Sequence, residues 1–498
     1  MEQDLSPAPA GPGTEAPGGE GVGVPSVLFF ALSSVGVLMV CAALVTTAFA
    51  QTGMTALPLA FLATGFVLAL SVPGYVLMAK YTPAGGGIYT IISLGLGRAI
   101  GAALAWDLWL AYGLLQAALY GIFGYLMQGF VQAHTGLNWP WLAWALIGWL
   151  LVLVLGRTPV KIVGRVIAVL AIPEFAISMT LSVYGLLHRA PGQPLFHAFS
   201  FTGLGWAKAG PAMAIAALAY IGYETALAYF REAKRPRRTV TVATYICLGG
   251  SILIYTLAPW SIDAHYGAQT VSLAGSMGPE EFLSMANSMW SHLDVIANFL
   301  LLTSVLAAKV GYHKNWVNYA YTAARKGMLP GVFARVNSNR VASTASALQS
   351  ACGFAMIAAT QLFHLNPLTQ TFFIGGTAGG YAILGLITVS MIAIVAFFLR
   401  TRHAESVWPS RILPGVAAVL LVAMMVLTTA HFALLIGVTP GDPVAAAIPV
   451  GFGVLFLCGL TWAVCVKKFA RDRYDALIPA TLPDQNTALQ GASTREAV

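Results

Sequence analysis

The sequence predicts an all-α polytopic membrane protein with twelve transmembrane helices, and three observations predict it. First, 58% of the 498 residues are hydrophobic and only 9% are charged, against roughly 25% charged in soluble domains. A mean hydropathy of +0.77 leaves too few polar side chains to cover a water-facing globule. Second, the apolar residues come in runs of about 20 or more, the length of a bilayer-crossing helix. The strands of a membrane barrel would be alternating segments of about 10. Third, Lys and Arg collect in alternate connecting segments, as they do on the cytoplasmic side of a membrane. A soluble enzyme and a nucleic-acid module are both excluded.

The elements follow in order. Residues 1–25 are rich in Pro, Gly and Ala and carry Glu2, Asp4, Glu15 and Glu20 without Lys or Arg. A signal peptide needs a basic start, so this stretch reads as an uncleaved, disordered tail. Gly, Pro and charge punctuation then separates spans at 26–49, 56–79, 99–130, 140–156, 161–187 and 209–231. A second set follows at 239–260, 292–315, 344–363, 368–400, 412–437 and 444–466. The third and tenth runs exceed a bilayer crossing and predict cytoplasmic extensions. Pro173 kinks the fifth by removing a helix hydrogen bond. Gly375-Gly376 and Gly379-Gly380 open the tenth at a spacing that allows close helix approach. Residues 467–498 read as a cytoplasmic tail.

Orientation follows from the charges. With both termini cytoplasmic, the inner segments hold Lys80, Arg98, Arg157, the cluster Arg231, Lys234, Arg235, Arg237 and Arg238, and nearly all later basic residues. The outer segments hold only Arg189 and Lys208. The loop 261–291 carries Asp263, Glu280 and Glu281 and no Lys or Arg. The expected location is the cytoplasmic (plasma) membrane, in contact with lipid and not with nucleic acid. The five cysteines, Cys41, Cys247, Cys352, Cys458 and Cys465, lie in or beside apolar runs without paired spacing. They read as small hydrophobes, and no metal site or cofactor is expected.

Three stretches carry a family resemblance. Pro83-Ala-Gly-Gly-Gly-Ile-Tyr89 is followed by Leu94-Gly95-Leu-Gly97. Tyr220-Ile-Gly-Tyr-Glu224 is followed by Arg231-Glu-Ala-Lys-Arg-Pro236. The third is Tyr319-Ala-Tyr-Thr-Ala-Ala-Arg325-Lys-Gly-Met-Leu-Pro330. In this order the chain resembles the amino acid–polyamine–organocation (APC) superfamily of permeases over about 26–466. Where that family has a G-x-G turn in its first span, this chain has Ser33-Ser34-Val35-Gly36. The resemblance implies a five-plus-five inverted repeat (LeuT-like), 26–187 and 209–400, with two additional helices in 412–466. Such transporters place their site where two interrupted helices leave backbone groups for substrate.

The candidate substrate-binding residues follow. Ser33, Ser34, Val35 and Gly36 mark the break in the first span, with N–H groups for a substrate carboxylate. Ala219, Tyr220 and Gly222 mark the matching place in the sixth. Trp109, Tyr112, Gln116, Tyr120 and Phe123 form one face of the third span, and Tyr112 and Gln116 are its candidates for lining a cavity. The alternative for that strip is aromatic packing.

Intramembrane ionisable groups are costly and usually paired or functional. Asp107, Glu174, Glu224 and Lys309 are therefore the candidates for coupling or gating. Glu224 reads as a brace for the broken sixth span or a proton carrier. Asp107 and Glu174 read as partners of Lys309 or members of a proton path. Lys309 either supplies a fixed charge between the first and eighth spans or snorkels to the interface.

The expected function is secondary active transport of amino acids or related amines by alternating access, with protons favoured over sodium. An exchanger, a sodium-coupled permease or a transporter-like sensor are the alternatives. No G-x-x-x-x-G-K-[ST] phosphate loop and no H-E-x-x-H occurs, so neither a pump nor a membrane metalloenzyme is expected.

Overall fold

The first apolar run is two helices rather than one. In the computed structural model, helix α1 (Val24–Val35) ends at Gly36, whose φ of 61° puts it in the left-handed region. Helix α2 (Val37–Thr52) then resumes. The structure describes residues 23–82, 87–158, 160–200, 206–223, 235–337, 341–401 and 404–477.

The chain continues through α3 (Leu57–Met78), a short α4 (Ile88–Leu96), α5 (Arg98–Thr135), α6 (Trp141–Gly156) and α7 (Val160–Leu187). Helix α8 (Trp206–Tyr220) and α9 (Pro236–Tyr266) precede two short helices, α10 (Thr270–Met277) and α11 (Glu280–Met289). Then come α12 (Leu293–Arg325), α13 (Ser343–Leu362), α14 (Pro367–Arg400), α15 (Trp408–Ala430), α16 (Pro443–Phe469) and α17 (Arg471–Leu477). Among the described residues there is no strand. Among the described residues, eight helices are long and apolar enough to cross a membrane, and α2 and α6 are shorter apolar helices. The protein is an integral membrane protein.

Local chemistry sets the boundaries. Pro follows the cap residue at the start of α14 and α16, where a missing N–H costs nothing. Asn366 accepts from the N–H groups of Leu368 and Thr369, and Asp442 from that of Val444, each at 2.9 Å. Hydroxyls inside apolar helices turn back onto their own carbonyls, as Thr46 does on Ala42 and Thr388 on Leu384. A hydroxyl in hydrocarbon has few other partners.

The structure departs from the sequence expectations in three places. Residues 88–96, expected as loop, form α4. Gly95 lets it lie directly on the backbone of α14, where a Cβ would overlap the carbonyl of Ala393. Arg400 caps this contact by donating to Gly95 O at 3.0 Å. Gly95→Val should therefore destabilise the fold by about 3 kcal/mol or more through overpacking, seen as a collapse in monodisperse yield after detergent extraction. Second, the loop 261–291 contains α10 and α11. Third, the tail begins with α17, which is docked: Leu477 is buried beside Ala102, Met328 and Ala463. Arg473 donates to Gly327 O at 2.9 and 2.6 Å, and Arg98 pairs with Asp475.

Glu281, on α11 outside the spans, is buried, and among the described residues neither carboxyl oxygen has a hydrogen-bond partner. Burial pushes its pKa up from 4.5 to about 8. The native state then holds a proton that the unfolded state loses above pH 4.5. This group favours folding below that pH, and its contribution falls as pH rises to about 8. Glu281→Gln should flatten the pH dependence of the melting temperature over that window, with the largest gain at its upper end.

Candidate functional site

A helix break and a helix end define the site. At Gly36 the helix stops and restarts, with Val40 N–H bonding back to Gly36 O at 3.0 Å. The first-turn N–H groups of α2 have no partner within their own helix. At the end of α8, Tyr220 is followed by a turn in which Gly222 adopts φ 115°. Both conformations suit glycine, because a Cβ there crowds the backbone. A Cβ on Gly36 would also stand 3.2 Å from Met39 Cε and 3.6 Å from Ala308 Cβ.

The break in the first span is filled by protein groups. Glu174 of α7 is buried, and α7 packs against α2 and α12. Ser304 Oγ accepts the N–H of Met39 at 3.4 Å. One turn along α7, Ser178 donates to Glu174 O at 2.7 Å. The sequence left the first-turn N–H groups of α2 to a substrate carboxylate, whereas the fold commits that of Met39 to Ser304. Ser33, Ser34 and Val35 form the last turn of α1.

The turn at the end of α8 is braced by phenols. Tyr220 is buried and donates to Phe61 O of α3 at 3.0 Å. Tyr223 shares a 3.0 Å hydrogen bond with Ser71. Ala219 is buried beside them. Glu224 lies outside the described residues.

A small cavity sits between α2, α5, α8, α12 and α14. It is lined by Met39, Val40, Leu44, Leu115, Ala118, Leu119, Leu218, Tyr312, Phe372, Phe373 and Gly376. Its volume is ≈ 30 Å³, room for two or three waters at about 10–15 Å³ each. The glycines of α14 make the wall thin. A Cβ on Gly379 would meet Ala111 O at 2.7 Å, and one on Gly380 would meet Leu218 Cδ1 at 2.6 Å.

The aromatic strip of α5 does not line this cavity. Trp109 stacks on Trp316 at 4.7 Å, and Tyr112 lies 5.9 Å from Tyr312 and 5.4 Å from Tyr319. Tyr120 and Phe123 take Lys309. The strip is the seam between α5 and α12, and the neighbouring Leu115–Leu119 face meets the cavity. Gln116 is buried one turn from Tyr120 and is likewise absent from the cavity lining.

Lys309 is completely buried. Its Nζ lies 3.8 Å from the Phe123 ring centre and 4.6 Å from that of Tyr120. A Cβ on Gly148 of α6 would collide with it. Lys309 thus faces α5 and α6 rather than the first span, and it does not snorkel. Among the described residues its Nζ has no hydrogen-bond partner, so neither Asp107 nor Glu174 pairs with it. Asp107 is buried on α5, and among the described residues its Oδ1 has no hydrogen-bond partner.

The family-like motifs have clear packing roles. Gly87 lies against the ring of Tyr319, where a Cβ would overlap it. Lys326 donates to Thr90 Oγ1 at 3.2 Å and sits over the Tyr89 ring at 4.8 Å. Burial lowers the Lys326 pKa to about 8.

A helix interrupted at Gly36 and a helix that ends in the turn at Gly222, beside one cavity in a polytopic membrane protein, fit the construction of a secondary transporter. The chain belongs to the amino acid permease family, whose sequence model matches residues 26–476. Its members are transporters rather than enzymes. No curated protein matches the chain.

Proposed function

We propose that this chain moves amino acids across the cytoplasmic membrane by alternating access, driven by protons. Its twelve spans form a five-plus-five inverted repeat with two additional helices and place both termini in the cytoplasm. The observation that carries this reading is the break at Gly36 and the turn at Gly222, on helices that flank one cavity. Substrate backbone groups bind at the breaks, near Ser33–Gly36 and Ala219–Gly222, and the side chain enters the cavity. Glu174, Lys309, Asp107 and Glu224 form the coupling set.

The cavity lining adds a substrate class. Its side chains are aliphatic, aromatic or thioether, with Tyr312 carrying the one hydroxyl and no charge present. Stripping water from a charged side chain without a partner costs several kcal/mol. The substrate is therefore a neutral amino acid with an apolar side chain. The test is a thermal-shift screen of the purified protein, since a ligand that binds only the folded state raises its stability. Counterflow of labelled hits in proteoliposomes follows, with and without a pH gradient. Stabilisation by leucine- or phenylalanine-like compounds and not by lysine or glutamate is expected. Binding without counterflow would instead identify a sensor.

A further inference from the structure

Helix α17 touches two elements that wall a second cavity. That cavity, of ≈ 20 Å³, has Tyr89, Trp106, Leu108, Trp109, Tyr319 and Met328 in its lining. It follows the first cavity along the seam of α5 and α12. The Tyr112 ring bridges the two, 5.9 Å from Tyr312 of the first and 5.4 Å from Tyr319 of the second.

Local structure brings α17 to this place. Gly459 lets α16 lie on α5, since a Cβ there would stand 2.9 Å from Ala103 Cα. The chain leaves α16 at Phe469 and enters α17 at Arg471. Leu477 then fills an apolar notch formed by Ala102 of α5, Ala463 of α16 and Met328. Gly327, at φ 72°, turns the chain after α12. Arg473 donates twice to its carbonyl, at 2.9 and 2.6 Å. Arg98, the first residue of α5, pairs with Asp475, and its guanidinium lies 5.9 Å from the Tyr474 ring centre.

The anchors fall on opposite walls. Arg98 and Ala102 belong to α5, whereas Gly327 and Met328 belong to the segment after α12. Met328 both lines the cavity and packs on Leu477. Parting the walls therefore strips α17 from one of them. Exposed ion pairs are weak and screened by salt, so this hold is reversible.

We propose that α17 is an intramolecular strap that ties the inner ends of α5 and α12 together, and that the second cavity opens to the cytoplasm when α17 undocks. This rests on the transport reading above, which places those ends in the cytoplasm.

The test reads undocking and opening separately, in purified protein carrying Leu108→Cys. Leu108 is buried, lines the cavity and is absent from the cluster around Leu477. Its alkylation by N-ethylmaleimide is read by peptide mass, which separates it from the native thiols. Adding Leu477→Asp should speed tryptic cleavage after Arg473 and label the cavity cysteine at least about threefold faster, through easier local opening. Asp475→Arg should act in the same direction, and combining it with Arg98→Asp should return both rates toward the starting values. Faster cleavage with unchanged labelling would overturn the proposal, because α17 would then leave without opening anything. Unchanged cleavage would overturn it too, since a strap held by these anchors must loosen. Should Leu477→Asp fail to elute as a single species, Asp475→Arg, at an exposed position, takes its place with the same consequences. Absence of counterflow in wild-type proteoliposomes would count against the transport reading alone, because neither cleavage nor labelling needs a substrate.

Discussion

Gly36→Val is expected to lower uptake at least about tenfold while the protein still inserts and elutes as a single species. Valine at a φ of 61° meets the steric cost that keeps L-residues out of the left-handed region, about 1–2 kcal/mol and more for a β-branched side chain. Its Cβ would also press on Met39 and Ala308. The cheapest relief is to continue the helix, so that Leu38 and Met39 bond carbonyls of the preceding turn. Ser304 then loses the Met39 N–H, and the break near the cavity disappears. Initial-rate uptake, measured beside size exclusion and thermal melting, checks this. Wild-type uptake in a folded variant would show that the break is dispensable.

Lys309→Met is expected to raise thermal stability and to remove the proton-driven part of uptake. The ammonium rests on two ring faces with no acceptor. Cation–π contacts desolvated in this way return about 2 kcal/mol, less than the several kcal/mol that burying an ion costs. Methionine keeps the stem and its contacts with Phe123 and Gly148 while removing the polar head. The gain should be of the order of 1–4 kcal/mol, the range seen when buried ionic groups are replaced by apolar ones. Melting curves measure the first effect, and uptake with and without a pH gradient measures the second. A less stable variant with normal gradient-driven uptake would mean that Lys309 serves only as packing.

Much of this architecture was legible in the residues. The low charge content made each intramembrane exception visible, and Glu174 and Lys309 both proved to be fully or nearly fully buried. Gly36 and Gly222 stood out because a small residue inside an apolar run needs a reason, and both have positive φ. The short helix α4 was less legible, since its boundaries are glycines that also read as loop. The α5 strip was read correctly as one face, but its partner was not. Period alone shows that Trp109, Tyr112, Tyr120 and Phe123 share a side of a helix, and it cannot show whether that side meets a cavity or another helix.

The sequence by itself determined the membrane class, the helical fold and the family resemblance that the family match supports. Those properties are sums over hundreds of residues or motifs of local spacing, so no single contact alters them. Only the tertiary structure decided that Ser304 takes the Met39 N–H of the broken span, and that Lys309 turns toward Phe123 and Gly148. Ser304 is separated from Met39 by 265 residues. Whether it reaches that N–H depends on helix rotation and depth, and these are set by how the whole bundle packs.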